Sequence, residues 1–177
     1  MYIPGDIERV LFTEDEIKAK VSELGEQLTR EYEGKNPLFI CVLKGSVIFF
    51  ADLIRQIKCP LEINFLRASS YGSGTVSSGD VKLSIGDGID FAGRDVVLVE
   101  DILDTARTLY ALKNELIRRG PKSLKIVTLL DKPSRRVVKD FSADYEGFAI
   151  DDLFVVGYGL DFDEKFRNLP YIGIKKS

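Results

Sequence analysis

The chain has 177 residues, 45% of them hydrophobic and 30% charged, with a formal net charge of -3 and a mean hydropathy of -0.02. That length suits one domain with a real core, and the composition excludes a fibrous or disordered chain. The mildly acidic balance supplies no net basic field for nucleic acid, and the absence of histidine excludes Ser-His-Asp and Cys-His hydrolases.

The opening Met1-Tyr2-Ile3-Pro4-Gly5-Asp6 has neither the basic start nor the apolar stretch of a signal peptide, and no apolar run approaches bilayer length. A soluble, cytoplasmic protein with no membrane partner is expected. Cys41 and Cys59 are too few and too scattered for a disulfide framework or a cysteine zinc site, and read as packing residues. Proton transfer then falls to carboxylates, lysines, tyrosines or cysteines, and any metal is an oxygen-seeking ion such as magnesium.

Ile17, Val21, Leu24 and Leu28 recur at helical spacing between Thr13 and Arg30, and Thr13 with Glu16 forms a capping-box pattern. After Gly34 and Pro37, the run Leu38-Phe39-Ile40-Cys41-Val42-Leu43 suits a strand buried on both faces of a parallel sheet. Lys44-Gly45-Ser46 breaks it. Val47 to Ile57 reads as a helix more apolar than one sheet contact needs, so part of it is expected to face another subunit. Leu61 to Leu66 alternates as a strand, and the serine- and glycine-rich stretch from Ser69 to Gly79 predicts a mobile loop. Val81 to Ile85 predicts a strand, Gly86 to Gly93 a turn region, and Asp95 to Val99 a second buried strand ending in Glu100-Asp101. A helix from about Thr108 to Arg119 stops at Gly120-Pro121, and Leu124 to Leu130 is the next buried strand, ending at Asp131-Lys132-Pro133. From Asp140 the tail is irregular, with short strand-like pieces.

Strands alternating with helices predict an α/β fold with a mostly parallel sheet. We expect a single domain, with a core of about 37–140 and a small cap formed by the chain ends, 1–12 and 141–177. Parallel sheets place ligands beyond the carboxyl ends of their strands. Three such ends carry polar or flexible residues, Lys44-Gly45-Ser46, Glu100 to Thr108 and Asp131-Lys132, so these loops should line one site. Neither a Walker A loop nor a GxGxxG turn is present.

VVLVEDILDTARTL, Val96 to Leu109, is the most informative stretch. Its strand delivers adjacent Glu100 and Asp101, Asp104 stands at the turn, and Thr105 and Thr108 flank a helix start. Amides and hydroxyls at a helix N-terminus bind phosphate, and upstream carboxylates accept hydrogen bonds from sugar hydroxyls. The pieces fit a phosphorylated ribose; the plain alternative is that the acids only cap and solubilise a strand-helix turn.

This stretch resembles the binding motif of the type I phosphoribosyltransferases for phosphoribosyl pyrophosphate (PRPP): two apolar residues, two acids, two apolar residues, Asp-Thr and a further Thr. Ala106 departs from the pattern, where glycine is usual. Four further segments resemble the hypoxanthine-guanine branch of that family. Leu43-Lys44-Gly45-Ser46 is similar to its pyrophosphate loop, in which the peptide before the lysine is often cis. Ser69 to Gly74, with Ser70 and Tyr71, resembles the flexible loop that closes over the reacting centre. DKPSRR, Asp131 to Arg136, resembles its base-recognition strand end, and FVVGYGLD, Phe154 to Asp161, its purine and metal segment.

The resemblance implies a twisted sheet with helices on both faces, magnesium as cofactor, and PRPP and a 6-oxopurine as substrates. It implies that Lys44, Gly45, Glu100, Asp101, Asp104, Thr105, Ala106, Arg107, Thr108 and Arg167 bind PRPP. Lys132 would donate to the exocyclic oxygen, Phe154 would stack on the base, the Val155 backbone would meet its edge, and Asp161 would complete the purine set. Glu100, Asp101 and Asp161 would hold magnesium. The resemblance also implies Asp104 as the general base, a role left open to a carboxylate by the absence of histidine. A homodimer or homotetramer is expected. Rival readings are xanthine or pyrimidine specificity on the same scaffold, a nucleic-acid-binding regulator that keeps the PRPP site, and a non-catalytic nucleotide module.

Overall fold

The computed structural model describes residues 2–70, 81–85 and 88–176, of which 68–70 and 81–85 are described by backbone alone. The elements run β1 (Ile7–Phe12), α1 (Glu14–Tyr32), β2 (Leu38–Leu43), α2 (Val47–Gln56), β3 (Glu62–Ser70), β4 (Val81–Ile85), β5 (Asp95–Leu103), α3 (Arg107–Ile117), β6 (Ser123–Asp131), β7 (Tyr145–Ala149), β8 (Val155–Val156) and β9 (Ile172–Lys175). The capping box at Thr13 forms as the sequence predicts, with Glu16 Oε2 accepting from the Thr13 amide at 2.8 Å.

The large sheet has the order β4-β3-β2-β5-β6-β7, all parallel except the β4 edge. Side-chain alternation along its strands explains the layers. Phe39, Cys41, Val97, Val99, Val127 and Leu129 face α1 and α2, while Leu38, Ile40, Val42, Val96, Leu98 and Ile126 face α3. Helices therefore cover both faces, and the continuous apolar runs are those of strands buried on two sides. The chain ends form a separate antiparallel sheet, β1-β9-β8. No helix of the described residues is long and apolar enough to cross a membrane.

Four boundaries differ from expectation. Strand β5 runs on to Leu103, because β6 continues to pair with it as far as Leu103 and Asp131, so Glu100 and Asp101 lie within a strand instead of after it. Helix α3 begins one residue early, at Arg107. Ser69 and Ser70 belong to β3, where antiparallel pairing with β4 extends the strand; the rest of the expected loop, Tyr71 included, lies outside the described residues. Tyr145–Ala149, expected in the irregular tail, is the edge strand of the large sheet, paired parallel with β6.

Candidate active site

The carboxyl ends of β2, β5 and β6 open on one side of the sheet, and close backbone packing joins the first two. A Cβ at Gly45 would stand 1.6 Å from Asp101 Oδ2, so only glycine lets the loop after β2 approach the acid. Gly159, at φ +101°, has its own Cβ position 2.0 Å from the Gly45 carbonyl, which brings the segment beyond β8 against the same loop. The Leu43-Lys44 peptide is cis. Behind it the buried Ser46 hydroxyl donates to the Val42 carbonyl at 2.6 Å.

Glu100 and Asp101 are part-buried side by side at the end of β5. Burial and the neighbouring Asp101 push the Glu100 carboxyl well above the usual carboxylate range, and Glu100 Oε2 is buried without a hydrogen-bond partner. Burial also raises Asp101, to about 6, against the opposing effects of the Ile102 amide, which donates to its Oδ1 at 2.7 Å, and of Arg167. A buried acid with a spare oxygen is a place for a hydroxyl donor or a cation. Among the described residues no three acidic or cysteine side chains gather as a ready cage. The nearest approach is electrostatic, Asp161 adding to the rise at Asp101. Such a partial set suits magnesium, which takes one or two carboxylates and fills its octahedron with water and substrate oxygens.

At the start of α3, Ala106 adopts a left-handed backbone, φ 68°, and is 4% exposed among Leu103, Leu109 and Leu112. Asp104, Thr105, Ala106 and Thr108 help to line a cavity of about 90 Å³. The first amides of a helix point at such a space and favour an anion there. Arg107 is exposed.

The end of β6 carries Lys132, 7% exposed, whose Nζ lies 3.9 Å from Asp152. Arg135 links the same Asp152, at 3.5 Å, to Asp104, at 3.1 Å. Phe154 is 55% exposed, edge-on to Phe162, and Val155 is buried in β8 opposite Ile174. Arg167 pairs with Asp161 at 2.8 Å and donates to the Gly159 carbonyl at 2.7 Å, while Lys44 pairs with Glu164 at 2.8 Å. The structure thus gathers Lys44, Gly45, Asp101, Asp161 and Arg167 at one end and Asp104 and Lys132 at the other. Sequence reasoning missed Asp152, Glu164, Arg135 and Arg136 as members of the site. The two arginines stand inside DKPSRR, and Glu164 stands three residues before Arg167, but charge alone does not mark a residue as a partner.

A mostly parallel sheet whose strand ends hold paired acids beside a helix-start anion cavity is the framework of a phosphoribosyl-binding protein. The phosphoribosyl transferase domain model matches residues 11–163, and the chain belongs to that family, with its type I fold. It is 52% identical over 171 residues to a hypoxanthine-guanine phosphoribosyltransferase of Streptococcus thermophilus (strain CNRZ 1066), covering 97% of this chain and 94% of that protein. The corresponding enzyme of Bacillus subtilis (strain 168) is 53% identical, with the same coverage. A hypoxanthine phosphoribosyltransferase structure from Staphylococcus aureus superposes with a TM-score of 0.91 at 48% identity, over 97% of this chain and 92% of that one.

Proposed function

We propose that this chain is a purine salvage enzyme that transfers the 5-phosphoribosyl group of PRPP to hypoxanthine or guanine, giving IMP or GMP and pyrophosphate. The observation that carries the reading is the packing of Gly45 between Asp101 and Gly159, which forces the pyrophosphate loop, the ribose acids and the purine segment to face one crevice.

The 5-phosphate takes the cavity at Thr105 to Thr108, where helix-start amides, Thr105 and Thr108 hydroxyls and Arg107 favour it. Glu100 and Asp101 accept hydrogen bonds from the ribose hydroxyls, which gives the unpartnered Glu100 Oε2 a donor. Lys44, the Gly45 amide and Arg167 hold pyrophosphate, so Glu164 must release Lys44 when it binds. Lys132 donates to the exocyclic oxygen, Phe154 offers a free ring face, the Val155 backbone meets the base edge and Asp161 completes that end. Asp104 accepts the purine proton as the opposite ring nitrogen attacks C1 and the bond to pyrophosphate breaks. Ser70 ends β3 and Tyr71 lies outside the described residues, so their part in closing over the centre rests on the family resemblance alone.

Glu100, Asp101 and Asp161, with substrate oxygens, would hold magnesium, which would supply charge neutralisation at the leaving pyrophosphate. Exposed Val47, Ile63 and Phe65 support a homodimer or homotetramer, and a purine salvage role suits a cytoplasmic enzyme. Incubation with PRPP, magnesium and each base in turn tests the reading. Pyrophosphate release with hypoxanthine or guanine is expected; release only with xanthine would reassign the base, and silence with every purine would overturn the enzyme.

A further inference from the structure

Arg136 is not part of the substrate-binding set above, yet it is among the most enclosed cations of the molecule. Its side chain is 9% exposed and pairs through Nη2 with Asp131, itself 7% exposed. Its Nη1 donates to the Leu103 carbonyl at 3.1 Å and to the Asp104 carbonyl at 2.7 Å. Glu146 on β7 is the other acid facing this cluster; burial, and then Asp131, raise its carboxyl above the usual range.

These contacts belong to a larger brace. The Lys132 amide also donates to the Leu103 carbonyl, at 2.9 Å, and the Val137 amide donates to the Thr105 carbonyl, at 3.1 Å. Three successive carbonyls, those of Leu103, Asp104 and Thr105, are therefore held by one segment, Lys132 to Val137. In a planar trans peptide the carbonyl and the following N–H point in opposite directions. Fixing those carbonyls turns the amides of Asp104, Thr105 and Ala106 away from the brace, the orientation that a phosphate cradle at the start of α3 needs.

We propose that Arg136 is a positioning residue that fixes the backbone of Asp104 and Thr105, and so couples the base-recognition segment to the phosphoribosyl loop. The inference rests on the transferase reading for its kinetic part alone. An arginine is required because its planar fork reaches a carboxylate and two carbonyls at once, whereas an ammonium is one compact point charge. Lysine keeps the charge opposite Asp131, so Arg136→Lys separates pairing from bracing.

The test compares wild type with Arg136→Lys by thermal melting, amide hydrogen exchange of the free protein, PRPP binding, and single-turnover rate with PRPP, magnesium and hypoxanthine. We expect a Tm within a few degrees of wild type, exchange faster by about tenfold at the Lys132 and Val137 amides but not in the centre of the sheet, and a chemical step slower by roughly 10- to 100-fold. PRPP affinity should weaken less than the chemical step. In Arg136→Ala, added guanidinium should restore part of the lost rate and ammonium should not. A wild-type rate and exchange pattern in Arg136→Lys would overturn the proposal. So would a rate loss that follows a general fall in Tm and in protection across the sheet. Because exchange needs no substrate, inert wild type would sink the transferase reading while exchange still decides the brace.

Discussion

Glu100 to Thr108 and Phe154 to Arg167 both approach the Gly45 loop, through Asp101 and Gly159, but are held in place by different forces. The first lies at the end of a central strand, its acids desolvated and its carbonyls gripped by Lys132, Arg136 and Val137, with a single left-handed residue, Ala106. The second is a run of turns with positive φ at Gly157, Tyr158, Gly159, Asp163, Glu164 and Phe166, and the Lys44–Glu164 ion pair to which it contributes is half or more exposed on both sides. Buried groups have steep energetic consequences and exposed ion pairs shallow ones. The region after β5 is thus set by the sheet and the region after β8 by turn geometry; under the proposed reading the first would hold the ribose, while the second would serve base and pyrophosphate and exchange partners when substrate arrives.

The largest effect should fall on the sheet side. Asp104→Asn keeps the shape but removes the basicity, and should lower the single-turnover rate by roughly 10²- to 10⁴-fold with little change in PRPP affinity. An unchanged chemical rate with weakened PRPP binding would make Asp104 a structural part of the loop.

Next comes Lys132→Ala, which removes one charge-assisted hydrogen bond of about 1.5–3 kcal/mol from a 6-oxopurine. Calorimetry should show the base weakened far more than PRPP; equal losses would place Lys132 in a general structural role and blur the division between the two sides.

A third prediction uses the raised carboxyl of Asp101. A folded-state value of about 6, above the ordinary aspartate value, means that the native state takes up protons more readily than the unfolded chain. The penalty for ionising is fully present above about pH 6 and fades as pH falls toward the unfolded value, so the contribution of Asp101 favours the fold on acidification through this window. Asp101→Asn should raise the Tm of the free protein by a few degrees at pH 7.5, flatten that pH dependence between pH 6 and about pH 4, and abolish tight PRPP binding. A variant no more stable than wild type at pH 7.5 would show that the acid is solvated.

The smallest effect is expected at Ala106. Glycine relieves the left-handed backbone, worth about 1–2 kcal/mol, but loses a buried methyl worth about 0.8 kcal/mol. Ala106→Gly should therefore change stability by less than roughly 1 kcal/mol and leave PRPP binding intact, as melting and titration would show. Loss of PRPP binding would mean that the phosphate does not use this turn.

The contrast between the two regions also explains what the sequence could convey. Leu38 to Leu43 and Val96 to Val99 are apolar at every position, and that pattern alone predicts strands covered on both faces. Thr13 with Glu16 marked the helix start because its reciprocal hydrogen bonds need those residue types. The extension of β5 through Glu100 and Asp101 was hidden, since paired acids look like a loop until a neighbouring strand is known to continue beside them. The β7 edge strand was missed because Tyr145 to Ala149 contains Glu146 and Gly147, and only its pairing with β6 makes it a strand. Arg136 and Asp152 were invisible for a related reason: their partners lie on other elements, and no spacing in the chain encodes those meetings.

A crystal structure with magnesium, an unreactive PRPP analogue and hypoxanthine tests the central claim most directly, that two differently built sides serve one crevice. We expect the 5-phosphate at the Thr105 to Thr108 amides, the ribose hydroxyls on Glu100 and Asp101, and the base between Phe154 and Lys132 with Glu164 released from Lys44. A base bound away from Lys132, or a phosphate outside the α3 cavity, would contradict it.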